Sequence, residues 1–225
     1  MSAAILVSLG AAGSATAQEG TARFVIVAFE NTGSYGQGTE VFQALGLGVA
    51  AMLARAIDRH PGADVIERHQ RGAAGGDPGP GAPKRVDAAG AAQIGRAAGA
   101  HYTVTGSFAD FYGKFRIIAR LVDAKKGAIV KVISNDDPKL QDRAQLASII
   151  QAVGERITSA AGLSPYPDGS APPPIPTDAI TAYSRGLLHD SRGESARASE
   201  FYQSALSAFP PFDEARAALG QLRGR

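Results

Sequence analysis

Apolar residues along this chain change period several times, and each change marks an element. Between residues 101 and 133 the period is two. Tyr102, Val104 and Phe108 alternate with Thr103, Thr105 and Ser107, and Phe115, Ile117, Ala119 and Leu121 alternate with Lys114, Arg116, Ile118 and Arg120; Val130 and Val132 follow. Such alternation predicts strands with one buried face. Residues 110–113 and 124–127 separate the runs, each ending in a glycine suited to the positive φ of a hairpin loop. The expectation is a three-stranded antiparallel meander whose apolar face is covered by the helical segments on either side.

Residues 23–29 (RFVIVAF) form an unbroken apolar, β-branched run, expected as a central strand buried on both faces. Thr39 is placed to cap a helix in which Val41, Leu45, Val49, Leu53 and Ile57 recur every four residues, widened by Phe42 and Met52. Gly46 and Gly48 weaken that helix, which implies close packing against a neighbouring backbone. A short strand at 63–67 completes a strand–helix–strand unit with a parallel crossover. Residues 70–85 are dominated by Gly and Pro and read as a loop. Asp87 caps a small helix that Gly99 stops. Asp137-Pro138 reads as an N-cap and first turn, opening a helix with the stripe Leu146, Ile149, Ile150, Val153 and Ile157. The proline-rich segment 163–177 reads as a semi-stiff linker. Beyond it, helical patterns cover 178–192 and 194–208, joined at Gly193, and a third begins near Phe212.

The resulting fold class is α/β (α+β): a mixed sheet of about five strands covered by helices in the order β-α-β-α-β-β-β-α, plus a C-terminal α-helical hairpin. A length of 225 residues accommodates one substantial domain and a small appendage. A net charge of +2 without a basic cluster gives no reason to expect nucleic acid. The absence of Cys excludes disulfides, thiolate metal sites, cysteine nucleophiles and acylation of an N-terminal Cys. Residues 1–17 combine a short apolar run with Ala15-Thr16-Ala17 before polar Gln18-Glu19, the pattern of a cleaved export signal although no Lys or Arg precedes it. The run is too short for a bilayer-spanning helix. Export to the periplasm of a Gram-negative type of envelope is the expectation, with no integral membrane segment in the mature chain and no lipid anchor.

The C-terminal segment resembles one tetratricopeptide repeat: Gly186, Gly193, Ala198, Tyr202, Ala205 and Pro210 fall at that motif's small, aromatic and terminating positions, with Ala182 where the motif has a large aromatic. One repeat and part of another must dock, dimerise or bind a partner. The region 21–162 resembles the periplasmic α/β domain of the CsgG (curli secretion) family and the TolB amino-terminal domain. The resemblance rests on Phe29-Glu30-Asn31 closing the first strand, Val65-Ile66-Glu67-Arg68, the run from Ile94 to Ala100 leading into Tyr102-Thr103-Val104-Thr105-Gly106-Ser107, and Ala119-Arg120-Leu121-Val122-Asp123-Ala124 before Gly127. It implies a non-enzymatic envelope domain. CsgG-type pores also carry barrel-forming segments of about ten alternating residues, and this chain has no stretch left over for them.

No reaction centre emerges. Gly33, Gly36 and Gly38 precede a helix, where an anion or nucleotide would sit, but their spacing is neither the dinucleotide fingerprint nor a P-loop. His60, His69, His101 and His189 lack metal-ligand spacing, no G-x-S-x-G surrounds any Ser, and Asp136-Asp137 reads as a turn and cap. No catalytic, cofactor or metal residue is therefore assigned, and no cofactor is expected. Arg116 and Arg120 share a strand face with Ile118 and would suit an acidic partner, or form an ordinary half-exposed polar face. By analogy with tetratricopeptide grooves, Tyr183, Leu187 and Asp190 would touch a peptide, or else pack on the α/β domain. The leading expectation is an exported interaction or assembly module, whose partners are other envelope proteins or a second copy through a sheet edge or helical groove. A sensor of small anions or nucleotides at residues 33–39 and a subunit of an oligomeric secretion ring are the alternatives.

Overall fold

The computed structural model describes residues 21–34, 38–66, 86–136, 141–166 and 174–224. Its elements are β1 (Ala22–Ile26), β2 (Glu30–Asn31), α1 (Thr39–Asp58), β3 (Ala63–Val65), α2 (Ala88–Ala98), β4 (Tyr102–Phe111), β5 (Lys114–Asp123), β6 (Ala128–Ser134), α3 (Leu146–Ala160), α4 (Thr177–Ser191), α5 (Ser195–Ala208) and α6 (Asp213–Arg223). Five strands lie in the order β3-β1-β4-β5-β6, with β2 beside β4. β1 runs parallel to both neighbours, and β4, β5 and β6 form the antiparallel meander. The α+β class holds. The sixth strand arises because the ladder of β1 stops early: Val27 N–H still donates to Val104 O at 2.9 Å, but Phe29 N–H turns to Gly46 O in α1 at 3.0 Å, and pairing resumes as β2.

β1 is buried on both faces, as its unbroken apolar run requires. Phe24 and Ile26 join the main core with α1 and α3, while Val25 and Val27 pack with Ile94 of α2. Helices α1 and α3 thus cover one face and α2 part of the other. The two glycines of α1 pack closely, as anticipated: a Cβ on Gly46 would lie 2.3 Å from Phe29 O, and one on Gly48 would lie 1.7 Å from Ser184 Oγ of α4. α4 therefore seats directly on α1, and Ala179, Ile180 and Tyr183 belong to the same apolar cluster as Leu45, Val49 and Leu53. α5 packs on α4 through the motif residues, with Tyr202 against Gly186 and Ala198 and Ala205 buried.

The meander departs from simple alternation in two places. Thr103, Thr105 and Ser107 are buried, because α2 and the side chains of neighbouring strands cover β4 on its second face. Conversely Val130 and Val132 are exposed, and only Ile133 of β6 reaches the core, since β6 is the outermost strand. The β4–β5 loop is two residues, Tyr112 (φ 51°) and Gly113 (φ 89°), a pair of positive φ values that matches the strand twist. At the β5–β6 turn the N–H of Lys126 holds the Asp123 carboxyl below the usual range, against the opposing push of desolvation and helped by the Lys125 N–H.

The expected helix opening at Asp137-Pro138 is corrected. α3 starts at Leu146, after a 3-10 turn (Arg143–Gln145) capped by Asp142, whose carboxylate accepts from Ala144 N–H at 2.8 Å. The chain before it runs extended along the meander: Phe115 N–H donates to Gln141 O and Arg143 N–H to Gly113 O, both at 2.7 Å. That pairing uses backbone groups a helix would need for itself. Residues 1–17, Gly36, the segment 70–85, Asp137, Pro138 and residues 167–173 of the proline-rich linker lie outside the described residues.

Candidate functional site

On the second sheet face α2 packs over β1, the start of β4 and the β5–β6 turn, and beyond it no helix covers the face among the described residues. Register places Phe111 opposite Lys114, Ala109 opposite Arg116, Ser107 opposite Ile118 and Thr105 opposite Arg120. Across the next ladder Ile118 faces Ser134, Arg120 faces Val132 and Val122 faces Ile129. Because side chains alternate along a strand, Lys114, Arg116, Ile118 and Arg120 share this face with Phe111, Ile129 and Val132. Three of its large apolar side chains are well exposed, at 46 % for Phe111, 45 % for Ile129 and 55 % for Val132. Phe111 lies at one end of this face and Ile129 near the other, with the cations of β5 between them.

Arg116 and Arg120 share this strand face, and the structure distinguishes them. Arg116 is exposed and its Nη2 lies 3.0 Å from Asp136 Oδ1, while Asp136 Oδ2 accepts from Ser134 Oγ. Arg120 is half-buried, and neither it nor Lys114 has an ion-pair partner among the described residues. Glu30, opposite Ser107 in β2, lies at the far margin of the face. Phe111, Lys114, Ile129 and Val132 were missed as site residues. In β6 apolar residues occupy both parities (Ile129, Val130, Val132, Ile133), so periodicity gives no face, and edge position is a property of strand order.

The β6 edge itself is interrupted. Val122 pairs with Ile129 and Leu121 with Lys131, which leaves Val130 as the extra residue of a β-bulge. Arg156 Nη1 donates to Ser134 O at 2.5 Å. A bulge, a lysine and an occupied terminal carbonyl are devices that discourage edge-to-edge pairing.

The second group of expected contact residues lies beyond the opposite face of the sheet, on α4. Tyr183 is buried, its ring 5.8 Å from that of Tyr202 and 5.0 Å from that of Phe212. Leu187 is partly buried against the core, and Asp190 is half-buried. The Tyr183 ring packs within the C-terminal helices, against Tyr202 and Phe212.

A charged cluster unforeseen in the sequence joins α4 and α5 to the first turn of α1. Glu40 lies 3.5 Å from Arg185, 3.6 Å from Arg192 and 3.6 Å from buried His189. His189 Nδ1 is 2.6 Å from Glu194 Oε2, its ring stacks on Phe201, and Arg185 lies over the same Phe201 ring. The hydrogen bond from His189 is the chief reason that the Glu194 carboxyl is held below its ordinary range, with Arg197 and Arg192 adding to it. A carboxyl lowered in the folded state contributes stability above the ordinary carboxylate range and loses it as pH falls through the folded value. The urea-midpoint difference between the wild type and Glu194→Gln is therefore expected to shrink from about pH 7 to about pH 3. A difference constant over that range would remove the assignment.

At the residues 33–39 connection, Thr32 N–H and Thr32 Oγ1 both donate to Phe108 O, and the first helical turn carries the acid Glu40. An acid at that helix start competes with any bound anion. His60 is buried, with Nδ1 accepting from Gly62 N–H and Nε2 2.7 Å from Ser164 O; His101 Nδ1 accepts from Arg23 N–H. No group of three metal-ligating side chains occurs among the described residues. α1 is long and apolar enough to cross a membrane by length and composition, but in this fold it is the core helix.

No family model and no curated protein matches the chain. Among solved structures it is similar to E. coli LpoB, at 18% identity and a TM-score of 0.39 over 51% of this chain and 56% of that one. It is also similar to the LpoB C-terminal domain from Escherichia coli, at 14% identity and a TM-score of 0.40 over 53% of this chain and 84% of that one. A further likeness is to TolB from Acinetobacter baumannii, at 18% identity and a TM-score of 0.37 over 63% of this chain and 27% of that one. The chain spans little more than half the length of the E. coli LpoB chain. These are partial likenesses of backbone at low identity.

Proposed function

We propose that this chain is an exported, non-enzymatic interaction module of a Gram-negative cell envelope. In this reading residues 1–17 direct export, residues 21–162 form a domain akin to the CsgG and TolB amino-terminal domains, residues 163–177 link, and residues 178–225 form a tetratricopeptide-like helical segment. The observation that carries the reading is the open sheet face, where Phe111, Ile129 and Val132 stay exposed around Lys114, Arg116 and Arg120. Exposed apolar groups interleaved with cations are suited to a partner. Packing of Tyr183 against Tyr202 and Phe212 supports a structural role for that side chain and favours the sheet as the recognition surface.

Two measurements test this. Expressed in a Gram-negative host with a C-terminal tag, the chain is expected in the periplasmic fraction with a mass starting at Gln18; a cytoplasmic chain retaining Met1 would remove the export reading. A photo-crosslinking amino acid at Val132 is expected to give discrete adducts with envelope proteins, and the same probe at buried Ile133 none. Equal labelling at both positions would count against the face.

A further inference from the structure

We infer that the open half of the sheet face takes an amphipathic, acidic helix contributed by another protein. This deepens the interaction-module reading and rests on it. The free stretch of β5, from Lys114 to Arg120, is six residue steps, or about 20 Å at the rise of a strand. A helix of about 13 residues spans that length. Helix on sheet is also how this sheet is covered elsewhere, by α1 and α3 on one face and by α2 on the rest of the other.

Charge decides among the occupants. Arg120 sits half-buried between Thr105 and Val132, and Lys114 stands beside Phe111, so the cations lie within the apolar patch and not around it. Among the described residues, Arg116 alone of these cations has a carboxylate beside it, that of Asp136. A helix whose apolar stripe meets Phe111, Ile118 and Val132 would set flanking Asp or Glu against Arg120 and Lys114. A second copy docked face to face would bring these cations against their own kind, since a two-fold contact uses the same patch on both subunits. An added strand at β6 would meet the Val130 bulge and a Ser134 carbonyl already taken by Arg156.

The test is selection of a library of helical 15-residue peptides on the purified chain, with counter-selection against Arg120→Glu. The expected sequences carry apolar residues at i, i+3, i+4 and i+7 flanked by Asp or Glu. A synthetic peptide from that pool should lose about tenfold or more in affinity for Arg120→Glu and for Val132→Asp. Changing its facing Glu to Lys should restore binding to Arg120→Glu. Val132 is exposed and Arg120 half-buried, and circular dichroism checks that both variants fold. The inference is overturned if no binders emerge, if the binders lack acidic residues, or if binding ignores both substitutions. It is also overturned if flotation with phosphatidylglycerol vesicles, or a dimer seen by sedimentation, is what these substitutions abolish. Export and crosslinking are measured in cells, so failure of the peptide arm alone removes the acidic helix and leaves the broader reading standing.

Discussion

Asp110→Ala is expected to destabilise the protein by about 3–5 kcal/mol, read as a fall in the urea midpoint. Asp110 is 1 % exposed, and its Oδ2 lies 2.9 Å from Arg143 Nη1, on a side chain that is itself largely buried. Its Oδ1 accepts from Gly113 N–H at 2.9 Å, fixing the β4–β5 turn. Arg143 also carries the carbonyl that accepts from Thr177 Oγ1 at 2.9 Å, where α4 begins. One carboxylate therefore ties the meander to the turn before α3 and to the start of the C-terminal helices. Removing it takes the carboxylate partner from a largely buried guanidinium, which costs more than the pair itself contributes. Asp110→Asn keeps the shape and the acceptor for Gly113 and is expected to fall between the wild type and alanine. A loss under about 1 kcal/mol for alanine would place the pair among solvated surface bridges.

Phe29→Ala is the second large effect, also about 3–5 kcal/mol. Phe29 is fully buried between two glycines: its carbonyl approaches Gly46 of α1, and a Cβ on Gly106 of β4 would lie 2.4 Å from its ring. α1 and β4 cannot close on the space left behind, since β4 is paired on both sides and Phe29 N–H itself anchors Gly46. The cost is therefore expected near the upper part of the range for such truncations. Refilling the space through Gly106→Ala should fail, because the new methyl would sit 2.3 Å from Ile118 O. Recovery of stability in the double variant, measured by urea unfolding, would show that this wedge is misassigned.

Much of the architecture was legible because the patterns that carry it are local. The stripe Leu45, Val49, Leu53, Ile57 needs only helical periodicity, and Asp87 and Gly99 bracket α2 by capping chemistry that acts within a few residues. Gly46 and Gly48 announced close packing because glycine in a helix costs stability that contact must offset. The start of α3 was not legible in the same way. The hydrogen bonds of the Phe115 and Arg143 N–H groups hold residues 141–143 along the meander, so the helix begins only after them.

The candidate site was half visible. Alternation put Arg116 and Arg120 on one face, and the register adds Phe111, Lys114, Ile129 and Val132 to them. By itself the sequence determined which residues belong to helices and strands, that a mixed sheet would be covered by helices, and that α1 would need a close neighbour. Only the tertiary structure decided that the neighbour is α4, that Thr103, Thr105 and Ser107 are buried while Val132 is not, and that half a sheet face is left open. The physical reason is range: propensity, period and caps are fixed by residues a few positions apart, whereas burial depends on which distant segment arrives to cover a face.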